Sequence, residues 1–513
     1  MERFFERHQS RILGVLSGFD RMLFRGTLRS IAHLTGMDLF LSSQRVLYKD
    51  FGVYVNKLSE QMKDHAEAVA RRAGRPLRYV ASAETSKEEI ARSILEQDQI
   101  REGLVCVLTC VEPCQTFSIR KDPDKKLLRL VTEPRKCLHV YFYYVDREFG
   151  LFHIRLQTWL PFPMQVCLNG REYLARQLTK AGIGYEQRDN CFVRIDDLPR
   201  AQAILHRLVK RKWPRWLRVL GRRHNPLVAA TSGLRLHDYY WTLRQGEWAT
   251  DVMFQDAAAL HEIYATLVQH AITQFGCQQV LRFLGRRTNA RFNGEVRSEL
   301  KHRPEGVCVK HWVEENSIKM YDKHGSILRI ETTINNSRRF CVRREVTRKG
   351  RRCMAWVPMR KSVADIPRLV QVSQAANQRY LQALALVNPP QPVHRVLDPV
   401  SKRVMQQGRP YRALRPITPE EAAWFRILLN GAFRIQGFRN PQVRRLLFPA
   451  AERNLTARKQ ASGRVTRLFR LLRAHGLIQK APGRRYYRVT DKGTQVMTTA
   501  LQLRETNFAL LAA

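Results

Sequence analysis

The stretch KMYDKHGSILRIETTIN concentrates cations, carboxylates and a tyrosine at strand-like spacing. Read as two strands, it sets Lys319, Tyr321 and Lys323 on one face of the first. Arg329 and Glu331 share a face of the second, because successive side chains of a strand point to opposite sides. Upstream, LHDYYWTLRQGEWATD carries His237, Asp238, Gln245, Glu247 and Asp251. If the strands meet, Gln245, Glu247 and Asp251 join Glu331 in a Mg²⁺ site, since hard cations take oxygen ligands. The alternative is structural: Arg329 and Glu331 pair within a sheet, Tyr321 is half-buried, and the upstream groups are polar loop residues and caps. CVLTCVEPC, with Cys137 and His139 downstream, offers soft zinc donors, but its spacing is not that of a structural zinc site. On a strand Cys106 and Cys110 behave instead as small hydrophobes. His153 shares a strand face with Arg155 and Gln157, as a metal or phosphate remnant or as a satisfied half-buried histidine.

A Tyr-x-Lys strand followed by an Arg-x-Glu strand resembles the core of plasmid and filamentous-phage rolling-circle replication initiators. The resemblance spans residues 318–335. It implies Glu331, with Asp322, as ligands of Mg²⁺ or Mn²⁺, and Lys319, Lys323 and Arg329 as phosphate-facing groups. It also implies a tyrosine nucleophile, Tyr380 on ANQRYLQALALV or else Tyr321, attacking a DNA phosphodiester. The sequence has no His-apolar-His pair, so the two-histidine metal site of the better-known branch is missing. No P-loop, GxGxxG, Ser-His-Asp or HExxH signature is present.

The elements that must position these groups follow from periodicity. Residues 1 to about 100 read as mainly helical, with helices at Arg11–Ile31, Asp38–Lys49 and Val55–Ala73 and a further one in KEEIARSILEQ. From Gly103 the pattern turns to β, with a hairpin around Arg147–Glu148. NGREYLARQLTKAGI and the run ending LPRAQAILHRLVKR read as helices. These elements predict an α+β domain with an antiparallel sheet over 1–199. Residues 200–225 hold nine Lys/Arg and no acid. With Trp213 and Trp216 interleaved, they read as a basic connector in which Lys210, Arg211 and Lys212 grip phosphates, or as a helix with inward indoles. A second mixed α+β domain is expected over 226–388, with a hairpin turning at Glu314–Asn316, and a basic Pro-rich linker over 389–415.

Residues 416–502 read as three helices and a two-strand ribbon. Thr418-Pro419 and Asn440-Pro441 mark two helix starts. A third helix, roughly Arg458–His475, puts Val465, Leu468, Phe469 and Leu472 on one stripe, and Gly476 stops it. LIQKAPGRRYYRVTDKG then forms strand, turn, strand and helix start, with Arg484 and Arg485 at the tip. This order resembles the winged helix-turn-helix of bacterial MarR-type regulators, in particular RLLRAHGLIQK…RRYYRVTDKG. The resemblance implies duplex DNA binding, with Arg458, Lys459, Ser462, Arg464 and Arg467 toward the groove and the wing arginines on the backbone. Between Arg395 and Glu505 stand 24 Lys/Arg and 6 Asp/Glu, a net of +18.

Composition agrees with a polyanion partner. A formal net charge of +44 over 513 residues suits counterion release from nucleic acid, not a small-molecule enzyme. MERFFERHQSR reads as amphipathic, not as an export leader, and no apolar run approaches a membrane span. Dispersed cysteines then fit a reducing, cytoplasmic setting. The expectation is a multidomain α+β protein of bacterial type that binds DNA as a regulator or mobile-element component. The alternatives are a metal-dependent DNA-nicking enzyme of initiator type and a binder of structured or single-stranded nucleic acid, RNA included.

Overall fold

The computed structural model describes residues 2–122, 127–286, 294–303, 306–348, 350–385, 393–430, 433, 437–481 and 486–505. The chain is α+β and divides into two compact units. The first comprises residues 1–275 and 279–386, and the second is essentially residues 387–513.

The first unit is built on one eleven-stranded sheet. Its strands in chain order are β1 (Ile12–Thr27), β2 (Leu77–Tyr79), β3 (Gly103–Lys121), β4 (Leu128–Asp146), β5 (Gly150–Gln157) and β6 (Met164–Asn169). A separate hairpin, β7 (Tyr185–Arg188) and β8 (Cys191–Ile195), intervenes. Then come β9 (Tyr240–Phe254), β10 (Val296–Arg303), β11 (Gly306–Val313), β12 (Asn316–Lys323) and β13 (Ile327–Ile334). The spatial order is β10-β11-β12-β13-β9-β1-β6-β5-β4-β3-β2. All these neighbours run antiparallel except β2 and β3. Sequence periodicity placed a domain boundary between residues 199 and 226. Instead β9 lies between β1 and β13, so both halves of the chain share one sheet.

Arg11–Ile31 is not a helix: its core is the sixteen-residue strand β1. Its apolar residues recur at mixed spacing, but Gly14, Gly18 and Gly26 interrupt the run, and glycine costs about 1 kcal/mol in a helix interior. In the sheet their bareness is used. A Cβ at Gly14 would meet Leu198, and one at Gly18 would meet Leu205, both on the helix Leu198–Val209. The residues read as a connector are likewise part of this unit. Trp213 opens the helix Trp213–His224 and packs with Phe24, Phe149 and Trp216, 1 % exposed.

The helix expected over Asp38–Lys49 spans Leu34–Ser43 instead, and Arg45 at φ +57 breaks the run after it. The helices Phe51–Arg72, Lys87–Gln97, Gly170–Lys180 and Ala257–Gln274 stand where expected. The β4–β5 hairpin turns at Asp146–Gly150 and the β11–β12 hairpin at Glu314, which takes φ +55. The helix Ile366–Leu384 crosses β9 and β13. Its Asn377 amide donates to the Trp248 and Ile330 carbonyls, and its Oδ1 accepts from the Thr332 hydroxyl. Those even-numbered residues define one face of the sheet there; odd-numbered residues occupy the other. A further hairpin, β14 (Cys341–Arg348) with β15 (Arg351–Pro358), pairs only with itself. Cys114 and Cys137 are joined as a disulfide, against the expectation of free thiols, while Cys106 and Cys110 are buried apolar packing.

The second unit has the predicted order: helices Pro419–Leu428, Asn440–Leu447 and Leu455–Ala474, then strands Ile478–Lys480 and Tyr487–Val489, then the helix Asp491–Glu505. Phe425, Leu428, Phe438, Val465, Phe469 and Leu472 share its core. Val396, Leu397, Val400 and Leu414 belong to the same core, so the predicted linker is partly structural. No helix among the described residues is long and apolar enough to cross a membrane.

Candidate metal centre

The odd-numbered face over β12, β13, β9 and β1 carries the chemistry. Register sets Lys319 opposite Glu331 and Tyr321 opposite Arg329, and it sets Arg329 opposite Asp251. On β1 the ladder slips between Phe19, opposite Trp248, and Arg21, opposite Glu247, leaving Asp20 as the extra residue of a β-bulge. A bulge re-aims its side chains, and here it delivers Asp20 to Glu247 and Glu331. One carboxylate oxygen from each of the three lies within 4.8 Å of the others. Gly170, at the start of the helix Gly170–Lys180, lets the backbone close on the bulge, since a Cβ there would sit 1.9 Å from the Phe19 carbonyl oxygen.

Fully buried ion pairs hold this arrangement beneath the site. Arg329 Nε and Nη2 donate to the two oxygens of Asp251 at 2.6 and 2.9 Å. Its Nη1 donates to Asp20 Oδ1 at 3.1 Å and its Nη2 to the Asn190 carbonyl at 2.7 Å. Arg171, also buried, places Nη2 2.9 Å from Asp251 Oδ2. The Asn190 side-chain amide donates to both Asp20 oxygens. Above them Lys319 Nζ lies 2.9 Å from Glu331 Oε1, and the Tyr321 hydroxyl donates to Glu331 Oε2 at 2.8 Å.

Burial and mutual repulsion shift these acids. Burial first, then the Glu331 charge, pushes the Glu247 carboxyl up to about 7. Burial also raises Asp20 against the pull of Arg329. Asp251 goes the other way: burial would raise it, but Arg171 and Arg329 outweigh that and hold it low. Burial and the neighbouring Glu331 charge keep the Tyr321 phenol protonated. A pocket of about 270 Å³ opens onto Asp20 and Glu247, walled in part by Arg21, Arg92, His153 and Asn190. An all-oxygen donor set of closely spaced, repelling carboxylates fits Mg²⁺ or Mn²⁺ rather than a soft metal.

Of the residues singled out from sequence, Glu247 and Glu331 come together, and Asp20 joins them unforeseen. The signal available for Asp20 was an acid inside a glycine-interrupted apolar run, SGFDRMLF. Asp251 is not a ligand, because its charge is balanced by two buried guanidiniums. Asp322 points to neither group: its Oδ1 accepts from the Gly325 N–H at the β12–β13 turn. Arg329, 0 % exposed, and Lys323, 7 %, are sealed from any phosphate; Lys323 instead adds positive charge near Asp251. Tyr380 is wrong as a nucleophile. It is fully buried among Phe275, Phe283 and His311, and its hydroxyl is 3.2 Å from His311 Nε2. Arg211 pairs with Glu148 and covers the Phe149 ring, whereas Lys210 and Lys212 are exposed.

On the second unit, the helix Leu455–Ala474 buries Val465, Leu468, Phe469 and Leu472 and exposes Arg458, Lys459, Arg464, Arg467, Arg470 and Arg473. Ser462 donates to Asn440 Oδ1 and ties this helix to its neighbour. Arg484 and Arg485 lie outside the described residues. Comparison of the chain with protein-family models, curated proteins and solved structures returned no match.

Proposed function

We propose that this chain binds DNA and hydrolyses its phosphodiester bonds with a divalent cation held by Asp20, Glu247 and Glu331. The observation that carries the reading is the convergence of those carboxylates, from three adjacent strands, on one point, with Asp20 and Glu247 lining an open pocket. Such a cation, when bound, neutralises phosphate charge and lowers the pKa of a coordinated water. The chain's own groups do the rest. Arg329 and Asn190 fix the Asp20 carboxylate, and Lys319 and Tyr321 fix Glu331. Arg21 supplies a cation at the pocket wall, where Arg92 is paired with Glu88 and Glu172. With Tyr380 enclosed and Tyr321 held protonated as a donor to Glu331, water is the attacking group and no covalent protein–DNA adduct forms.

The arginine face of Leu455–Ala474 supports duplex binding by the second unit, as do its net charge and element order. A regulator that binds without cutting is the competing reading, and it rests on the second unit alone.

The test is supercoiled plasmid incubated with the full chain and Mn²⁺ or Mg²⁺. Relaxed or linear product is expected from wild type and not from Asp20→Asn, Glu247→Gln or Glu331→Gln. Manganese binding by calorimetry should fall in the same three variants. A wild-type protein that binds no manganese, or any of the three variants still cutting at the wild-type rate, would end the proposal.

A further inference from the structure

The sheet face that bears the carboxylates continues along β1 into a cluster of arginines. Register aligns Arg25 of β1 with Gln165 of β6, and Gln165 with Arg155 of β5, in one row across three strands. A second irregularity between β1 and β9 pairs Leu23 with Gln245 and Phe24 with Leu243. Arg244 is left as the extra residue of that bulge. All three guanidiniums line one pocket of about 380 Å³, together with His139, Gln157 and Gln165.

Of these three charges only that of Arg155 meets an acid among the described residues, and it shares that acid. Arg155 Nη2 donates to Glu112 Oε2 at 2.6 Å, but Glu112 also accepts from the Tyr141 hydroxyl and pairs with Lys87 at 3.0 Å. Arg155 Nε is buried without a hydrogen-bond partner. Among the described residues no carboxylate pairs with Arg25 or Arg244. Half-buried Arg25 is held below the usual arginine range by burial, and next by the Arg244 and Arg155 charges. Lys361 is depressed by burial and by cations that include Arg244 and Arg25. Like charges gathered in a recess, with unmet donors, are the environment of an anion.

We infer that Arg25, Arg155 and Arg244 form a second site, which binds backbone phosphate of the same nucleic-acid strand that lies at the carboxylates. The inference rests on the function proposed above. Four residues of strand separate Arg25 from Arg21 at the pocket beside Asp20, about 13 Å. A single strand laid along β1 therefore reaches both sites, and the arginines set its direction and hold it in register with the carboxylates. The basic row thus makes the substrate an extended strand, not a mononucleotide. Gln157, buried and donating to the Trp159 carbonyl, and Gln165, which accepts from Arg155, add neutral groups to the pocket wall.

The experiment uses the full chain, fluorescein-labelled oligodeoxythymidine and inorganic phosphate as competitor, with anisotropy read over a salt series in Ca²⁺. Arg25→Gln/Arg244→Gln is compared with wild type and with Arg25→Lys/Arg244→Lys, and manganese binding is measured on each. Losing two phosphate contacts lowers the slope of log affinity against log salt by roughly 1.4, at about 0.7 per contact for a single strand. The glutamine pair should show that drop with manganese affinity intact, and the lysine pair should keep most of the slope. An unchanged slope in a variant that still binds manganese would overturn the strand site and leave the metal reading standing. Loss of oligonucleotide binding from wild type by millimolar-range phosphate would overturn it in favour of a free-anion pocket. A wild type that binds neither manganese nor oligonucleotide would bring down both readings together.

Discussion

Replacing Arg329 with methionine should destabilise the first unit severely. The guanidinium satisfies both oxygens of Asp251, one of Asp20 and the Asn190 carbonyl, all with Arg329 itself fully buried. Methionine fills much of the volume but leaves two carboxylates in low dielectric with Arg171 and the charge of Lys323 as the remaining cations nearby. Breaking a buried pair by deleting one partner costs about 3–5 kcal/mol, because the remaining charge is desolvated and unmatched. At roughly 2 °C per kcal/mol for a large domain, melting should fall by roughly 6–10 °C. Circular dichroism melts at neutral pH read this directly. Arg329→Met/Asp251→Leu removes one charge of each sign and should recover part of the loss, since apolar replacement of a whole buried pair is often neutral. A single variant that melts within a degree or two of wild type would refute the reasoning, as would a double variant worse than the single.

Buried histidines give a pH dependence. Burial lowers His139, His153 and His311 to about 4 and His224 to about 3. The unfolded chain takes up these protons near pH 6.5, so stability is full above that value and is lost as pH falls toward 4. The loss is up to about 1.4 kcal/mol per histidine per pH unit; urea midpoints that stay flat between neutral and mildly acidic pH would count against it. Glu247→Gln removes a carboxylate raised by burial and by Glu331, so the metal-free protein should gain on the order of 1 kcal/mol while manganese binding is lost; a destabilised variant in chemical unfolding would mean the site is structural. Tyr380→Phe deletes one buried hydrogen bond, to His311, and should cost about 1 kcal/mol with plasmid cutting unchanged. A labelled covalent adduct on a denaturing gel that disappears in Tyr380→Phe would contradict the burial of that residue.

Local pattern made much of this molecule readable. Alternation exposed β3, β4, β5, β11, β12 and β13, and periodicity exposed the helices after Ser86, Asn169 and Asp256, whose side chains the structure shows accepting from the first turn. Glu247 and Glu331 were visible as acids on strand-like segments. What escaped was non-local. Nothing in the sequence near Asp20 says that its segment pairs with residues 240–254, and mixed apolar spacing imitated a helix. The bulge that turns Asp20 toward its partners is a one-residue slip, which periodicity cannot register. Arg171 reads as a solvated helix residue but is fully buried, because its two acid partners come from distant strands. Arg329 and Asp251 failed as functional groups for the same reason: each is defined by what it is paired with.

The spacing of the carboxylates along the chain has a consequence for biosynthesis. Residues 20, 247 and 331 meet on β1, β9 and β13, and β9 is the strand that joins the other two. During synthesis β1 leaves the ribosome more than two hundred residues before its inner neighbour exists. Closing such loops is slow, and it delays the long-range pairing relative to local hairpins such as β4–β5. Until residue 331 has emerged, the third acid is absent from the cluster. A fragment ending before β13 therefore lacks both Glu331, the third carboxylate of the cluster, and Arg329, the guanidinium that fixes Asp20 and Asp251.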